Sequence, residues 1–129
     1  LESAKRAKEL GMMVSMGAPN VVRGKSSTGN LSAIDAIQGG GLVDVLCSDY
    51  NPASMLYAPF VLAKKGLLEV TDAVNLVSLN PAKAIGRDTV GSIEEGKHAD
   101  MLIIDEIEGI PLVLKTIVNG RVVYDVEPR

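Results

Sequence analysis

The chain has 129 residues, of which 47% are hydrophobic, so it is long enough for one packed domain and is not expected to be disordered. A net charge of −3, three tyrosines, one phenylalanine and no tryptophan argue against a nucleic-acid surface, which needs clustered basic charge and stacking platforms. The single cysteine excludes an intrachain disulfide, and no apolar run of about 18 residues is present, so we expect a cytoplasmic protein with neither nucleic acid nor membrane as a partner.

The first thirty residues predict a helix, a strand and a long loop. Residues 2–10 have the pattern of a helix with Gly11 as its C-cap, and residues 12–16 that of a short buried strand. Residues 17–30 are rich in Gly, Ser, Asn and Pro, which predicts an irregular loop of a length that is usually functional or disordered. Because the chain begins inside a helix and without Met, we expect it to be a fragment of a longer protein.

The middle of the chain predicts helices around one further strand. Apolar residues 42–47 form that strand, which ends at Ser48, Asp49 and Tyr50. Apolar periodicity and cap residues place helices at 31–38, at 53–65 with Gly66 as C-cap, and at 71–79 with Thr71 as N-cap; Asn80-Pro81 ends the last of these before one more turn at 82–85.

The character of the sequence changes near Gly86. Glycines separate short β-type runs at 101–104, 112–118 and 121–124, and Asn119-Gly120 between two of them is a strong hairpin signal. We therefore predict an α/β fold with a boundary at 86–90, residues 1–88 forming an α/β unit and residues 89–129 a small β unit.

Asp49 is the strongest candidate for chemistry. Period-two alternation places it on the same strand face as Val45 and Cys47, at the end of the strand where a parallel barrel carries its catalytic groups. A carboxylate there can bind a divalent metal and act as a general base. The spacing leaves open the plainer interpretation that Asp49 caps the turn at Asn51-Pro52.

Arg23 and Lys25 lie in the predicted loop at 17–30, among Gly, Ser and Asn residues. A guanidinium and backbone amides in such a loop can hold phosphate oxygens. The segment is not a Walker motif, because Gly24-Lys25-Ser26 lacks the upstream glycine and the following helix. The residues alone favour an ordinary solvated loop.

Other groups are expected to be structural. We expect Cys47 to be a buried, inert thiol and Met12, Met13 and Met16 to fill the core, while His98 lies in a surface turn. One histidine and one cysteine cannot complete a metal site, because a catalytic zinc site needs three protein ligands.

The tail of the chain resembles the C-terminal signature of the amidohydrolase superfamily. Asn80-Pro81-Ala82, Val90-Gly91-Ser92-Ile93 and Gly96-Lys97-His98-Ala99-Asp100 carry the resemblance. In that superfamily the last helix of the barrel holds the Asn-Pro-Ala element, and a small β-sandwich follows it. The resemblance implies the C-terminal part of a (β/α)8 metal-dependent hydrolase barrel, over residues 1–88, with the C-terminal portion of the sandwich in residues 89–129.

The upstream half resembles one branch of that superfamily, the phosphonate-metabolism enzymes that act as α-D-ribose 1-methylphosphonate 5-triphosphate diphosphatases. The residues that carry this resemblance are Met16-Gly17-Ala18-Pro19-Asn20, Arg23-Gly24 and Ser48-Asp49-Tyr50 with Pro52-Ala53-Ser54. It implies that Asp49 is a catalytic residue and metal ligand, and that a phosphorylated small-molecule substrate is contacted by Asn20, Arg23, Gly24 and Asn30.

The resemblance also implies a divalent metal, zinc foremost, whose remaining ligands lie upstream of Leu1. The implied activity is metal-dependent release of pyrophosphate from α-D-ribose 1-methylphosphonate 5-triphosphate, and the fragment alone is expected to be inactive. Ser27 stands where the branch commonly has a histidine, which bears on the substrate contacts.

Two parallel strands cannot close a barrel, so we expect their open edges to drive self-association into a homo-oligomer. Two alternative functions remain at this point. The first is an amidohydrolase for a cyclic amide or an N-acyl substrate, which Arg23 disfavours, and the second is a non-catalytic interaction domain.

Overall fold

The computed structural model describes residues 2–24 and 32–126 of the chain. A parallel pair of strands with helices around it is followed by an antiparallel sheet, which agrees with the predicted α/β class. The helices are α1 (Glu2–Glu9), α2 (Ala18–Arg23), α3 (Ala33–Gln38), α4 (Ser54–Lys64), α5 (Val70–Asn75) and α6 (Leu79–Ala84). The strands are β1 (Ser15–Gly17), β2 (Val45–Cys47), β3 (Met101–Ile107), β4 (Ile110–Val118) and β5 (Arg121–Asp125).

Helix α1 ends as predicted, but the strand after it begins three residues later than expected. Gly11 adopts φ +71°, and the amide of Met12 donates to the carbonyl of Ala7, so the chain is still turning at Met12. Met12 and Met13 are consequently 59% and 45% exposed, and the prediction that they fill the core is wrong. Met16, on β1, does pack against the core.

The residues from 18 to 23 form a helix rather than the predicted irregular loop. Pro19 lies in the first turn of α2, where a missing N–H costs nothing. Gly24 ends the helix with φ +74°, and its amide donates to the carbonyl of Val21. The Val21 side chain is fully buried. Arg23 is therefore fixed in a last helical turn, whereas Lys25, Ser27 and Asn30 lie outside the described residues.

Helix α3 begins with a capping box that the sequence analysis did not identify. The Ser32 hydroxyl accepts from the amide of Asp35 at 3.1 Å, and the Asp35 carboxylate accepts from the amide of Ser32 at 3.3 Å. This reciprocal cap satisfies amides of the first turn and starts the helix at Ala33. Residue 31, where the helix was predicted to start, is outside the described residues.

The core lies between the β1–β2 pair and the helices. The strands run parallel with Met16 opposite Leu46 and Gly17 opposite Cys47. Leu46 faces the helices and is 1% exposed, in a cluster with Val21 and Leu62. Cys47 points to the opposite face and is exposed, so the prediction of a buried thiol is wrong.

The segment after α4 contains two short helices, where a helix at 71–79 and one more turn at 82–85 were predicted. Helix α5 begins at Val70 with Glu69, not Thr71, at the N-cap position. The helical conformation is interrupted at Ser78. Asn80-Pro81 lie inside the first turn of α6 instead of ending a helix. Pro81 is tolerated there because amides of the first turn have no partner within the helix.

This segment also covers one edge of the parallel pair. The amide of Leu46 donates to the carbonyl of Leu76 at 2.9 Å, and the Asn80 side-chain amide donates to the carbonyl of Asp44 at 2.8 Å. The edge of β2 that faces away from β1 therefore has hydrogen-bond partners within the chain.

The antiparallel sheet has the order β3-β4-β5. Asn119 and Gly120 adopt φ of 48° and 76° between β4 and β5, which confirms the predicted hairpin turn. His98 lies at the surface as expected, with its Nδ1 3.0 Å from the side-chain oxygen of Asn119. Large apolar side chains of this sheet are exposed, among them Val122 at 54% and Val123 at 62%. No helix in the described part of the chain is long and apolar enough to cross a membrane.

Candidate active site

The candidate site lies where the two parallel strands end. Gly17 is the last residue of β1 and Cys47 the last residue of β2, and the two are paired. Helix α2 follows β1 directly, and a tight turn follows β2. Because parallel strands end on the same side of a sheet, the residues after each strand are brought together. Asp49 and the side chains of α2 thereby become neighbours.

The turn after β2 is made by residues 48–51. The amide of Asn51 donates to the carbonyl of Ser48 at 2.9 Å, and Asp49 adopts φ +49°, a conformation that is rare for residues other than glycine but least so for Asp and Asn. Ser54, which is 2% exposed, anchors the turn to α4: its amide and its hydroxyl both donate to the carbonyl of Asn51. The position of Asp49 thus depends on α4.

The Asp49 carboxylate lies against Gly17. A Cβ on Gly17 would be 3.1 Å from Oδ2 of Asp49, 3.4 Å from its Cβ and 3.6 Å from Nδ2 of Asn20. Gly17 itself has φ −71° and ψ 126°, which any residue can adopt. Glycine is needed at this position for space rather than for backbone conformation.

Arg23 lies over the ring of Tyr50. Its Cζ is 5.6 Å from the ring centroid, within the range of a cation–π contact. Asn20 and Arg23 are three residues apart on α2 and therefore share a face of the helix. Asp49 lies near Asn20, and Tyr50 lies near Arg23. Two adjacent residues of the turn therefore lie beside two residues on the same face of α2.

The structure therefore brings most of the predicted site residues together. Asp49, Asn20 and Arg23 are neighbours at the strand ends, and Gly24 directly follows Arg23 as the cap of α2. Asn30, the remaining candidate, lies outside the described residues.

Gly17, Tyr50 and Ser54 belong to this site but were not predicted from the sequence. A signal for the arrangement was available in Pro19 and Gly24, which are start and stop residues for a short helix. Recognising that helix would have placed Asn20 and Arg23 on one face.

The carboxylate at the opposite end of β2 is held in place by charge. Partial burial of Asp44 acts to raise its pKa, but hydrogen bonds from the Lys8 ammonium and the amide of Val14, together with the charge of Lys8, outweigh that effect and lower the pKa. Asp44 therefore stays ionised and ties α1 to the approach of β2. This role is structural, because Asp44 precedes the strand whereas Asp49 follows it.

The donor set near Asp49 fits one part of a metal site. Within residues 2–24 and 32–126, no three side chains of His, Cys, Asp or Glu converge in a way that could hold a metal ion. Asp49 offers an exposed carboxylate, which is a suitable ligand for zinc and other divalent cations. The described residues thus offer a single carboxylate at the strand ends, which cannot hold a metal ion without ligands from outside them.

Comparisons with known proteins identify one family and two kinds of related enzyme. The sequence profile of the amidohydrolase family matches residues 2–123. The α-D-ribose 1-methylphosphonate 5-triphosphate diphosphatase of Escherichia coli (strain K12) is 45% identical over 104 residues, which are 79% of this chain and 27% of that protein. An imidazolonepropionase of Porphyromonas gingivalis is 38% identical over 98 residues, 65% of this chain and 23% of that protein.

A solved structure shares the fold. The crystal structure of an amidohydrolase from Thermotoga maritima superposes with a TM-score of 0.61 over 96% of this chain and 40% of that chain, at 18% identity. The chain spans about a quarter of the length of the curated relatives it matches.

Proposed function

The chain belongs to the amidohydrolase family, and we propose that it supplies the last two strands and helices of a metal-dependent (β/α)8 hydrolase barrel, in residues 1–88, and part of a β-sandwich in residues 89–129. The parallel pair supports this, because helices cover the face with Leu46 while the face with Cys47 is left open. In a closed barrel the open face would line the interior.

We propose that the reaction is hydrolysis of a phosphoanhydride, with release of pyrophosphate from α-D-ribose 1-methylphosphonate 5-triphosphate. The observation that carries the proposal is the juxtaposition of a carboxylate, Asp49, and a guanidinium, Arg23, at the same strand ends. The 45% identity to a diphosphatase named for this substrate supports the substrate class.

Each polar side chain of the site would have a role that follows from its charge or its hydrogen-bonding groups. A divalent cation, which we expect to be zinc, would when bound polarise a phosphoryl oxygen and make a water molecule more acidic. Asp49 would be one of its ligands and would accept the proton of the attacking water. Arg23 would offset the negative charge that develops on the departing phosphates. The Asn20 amide can donate a hydrogen bond to a phosphate oxygen from the same helix face.

A second candidate is hydrolysis of a cyclic amide or an N-acyl group. The similarity to imidazolonepropionases, which are not named for a phosphorylated substrate, favours it. The position of Arg23 at the strand ends argues against a neutral amide, which has no charge for a guanidinium to offset, but not against an amide that carries a carboxylate.

The deciding experiment measures pyrophosphate release by the full-length, zinc-loaded protein. Wild type, Asp49→Asn and Asp88→Asn would be compared; Asp88 is an exposed carboxylate in the linker after α6 and serves as the matched control. We expect Asp49→Asn to lose about 10²- to 10⁴-fold in kcat, the usual contribution of a positioned general base, and Asp88→Asn to keep wild-type activity.

Two outcomes would contradict the proposal in different ways. No release by a folded, metal-loaded wild type would favour the amide alternative. Release that survives in Asp49→Asn would remove Asp49 from the chemistry while leaving the substrate in place.

We also propose that the 129-residue chain by itself is inactive and self-associates. The support for self-association is the exposed apolar surface of the β3-β4-β5 sheet, where Val122 and Val123 are more than half exposed. Light scattering on the purified chain tests this, and a monodisperse monomer would contradict it.

A further inference from the structure

We infer that Tyr50 is a positioning residue that holds the Arg23 guanidinium ready for an anionic, polyphosphate-bearing substrate. This inference rests on the proposed function, because it assigns to Tyr50 a role in the same site. Tyr50 has no proposed contact with the metal or the reacting atoms, and it acts through Arg23.

The first support is the geometry of the pair. The Arg23 Cζ lies 5.6 Å from the centroid of the Tyr50 ring, and an arginine within about 6 Å of a ring centroid is attracted by the negative charge of the ring face. Tyr50 is 60% exposed, so its ring does not serve to fill the core. The ring is therefore free to contact a side chain of the site, beside the proposed catalytic carboxylate, rather than the core.

The second support is the way in which the turn presents Tyr50. In a continuing strand, Asp49 and Tyr50 would point to opposite faces. The positive φ of Asp49 breaks that alternation, and both side chains then contact the β1–α2 unit: Asp49 lies on Gly17 and Tyr50 under Arg23. One backbone conformation, fixed through Ser54, thus sets both the carboxylate and the ring.

The third support is the effect of the cation–π contact on the freedom of the Arg23 side chain. An exposed arginine samples many rotamers. Restricting them when a phosphate binds costs conformational entropy and lowers the affinity. Tyr50 restricts the guanidinium in advance by attracting its charge to a position over the ring. A guanidinium has five N–H donors, which is more than a bidentate contact with phosphate oxygens uses.

The size of the effect follows from the exposure of the pair. A cation–π contact at an exposed site is expected to change the affinity for a polyphosphate by about two- to fivefold. Removal of the Arg23 charge itself should weaken binding by about tenfold or more, because hydrogen bonds to a charged group are lost.

The test is binding of inorganic tripolyphosphate, measured by calorimetry on the full-length protein with its bound metal and without added free cations. The variants are Tyr50→Leu, which removes the ring, Tyr50→Phe, which keeps it, Arg23→Ala, and the Arg23→Ala, Tyr50→Leu double variant. We expect Tyr50→Leu to weaken binding by about two- to fivefold and Tyr50→Phe to match wild type within about twofold. Tyr50→Leu should have no further effect when Arg23 is already absent.

The outcomes separate this inference from the proposed function. Wild-type affinity in Tyr50→Leu, or an equal loss with and without Arg23, would overturn the role of Tyr50 alone. Unchanged affinity in Arg23→Ala would instead remove the phosphate contact, and with it the proposed substrate class. As a second readout, Tyr50→Leu should raise KM for the triphosphate substrate and leave kcat within about twofold, whereas a folding defect would lower the active fraction and hence kcat.

Discussion

Replacing Gly17 with alanine should displace the Asp49 carboxylate without unfolding the protein. Gly17 has φ −71° and ψ 126°, so alanine can adopt its backbone conformation without strain. The lower entropy of the unfolded chain would by itself stabilise the protein by about 0.4–1 kcal/mol. Any loss of activity in this variant must therefore come from the new methyl group.

The contact that the methyl group makes sets the size of the loss. Its carbon would lie 3.1 Å from Oδ2 and 3.4 Å from Cβ of Asp49, whereas atoms in favourable contact are about 3.5–4.0 Å apart. The carboxylate must therefore move by a few tenths of an ångström. Since a misplacement of about 1 Å can cost about 100-fold in rate, we expect a loss of about tenfold in kcat.

The assay is the proposed pyrophosphate release by the full-length, zinc-loaded protein, together with its thermal unfolding midpoint. Gly66→Ala is the control: Gly66 has φ +66°, and among the described residues no atom lies within 4 Å of its added Cβ. That variant should lose about 1 kcal/mol of stability and keep its kcat. Wild-type kcat in a folded Gly17→Ala would refute the close approach of Asp49 to Gly17 as a requirement for activity.

Three further predictions concern stability and are checked by thermal unfolding. Gly91→Ala should cost about 2 kcal/mol or more, since φ is +94° and the new Cβ would lie 2.9 Å from Cβ of Ala82; a cost equal to that of an unobstructed glycine would count against this packing. Asp44→Asn should cost about 1–2 kcal/mol at pH 7. Because the fold lowers the pKa of Asp44, this stabilisation is present above the unfolded pKa of about 3.9 and is lost as pH falls through the folded pKa. The stabilities of the two proteins should therefore converge at low pH, and a difference that does not narrow as pH falls below about 3.9 would contradict the ion pair. Ser32→Ala should cost about 1 kcal/mol through loss of the capping box, and Ser32→Asp should restore most of it.

Local signals in the sequence were sufficient for elements that carry their own start or stop residues. Gly11 ends α1, and Asn119-Gly120 forms the predicted hairpin. Glycine and asparagine adopt positive φ more readily than other residues, so the residue types at these positions were enough to predict the turns. Helix α2 was missed since its polar composition resembles a loop, although Pro19 and Gly24 mark its two ends.

Burial could not be predicted where both faces of a strand are apolar. Leu46 and Cys47 are adjacent and both suit a core, and the packing of α2 and α4 decides that Leu46 is buried. The site shows the same limit. Asp49 stands out as a candidate from its place after a strand, whereas its contact with Gly17 and that of Tyr50 with Arg23 depend on the left-handed conformation of one residue, which no periodicity reports.

The hydrogen bond from Asn80 to strand β2 has a consequence for how such a site can change. Its acceptor is the main-chain carbonyl of Asp44, so Asn80 fixes where the strand lies without regard to the side chains that the strand carries. Val45 and Cys47, which face the open side, can therefore be exchanged during evolution without loosening α6. In the proposed barrel, single substitutions at these positions would change the lining of the interior on a strand whose position is already secured.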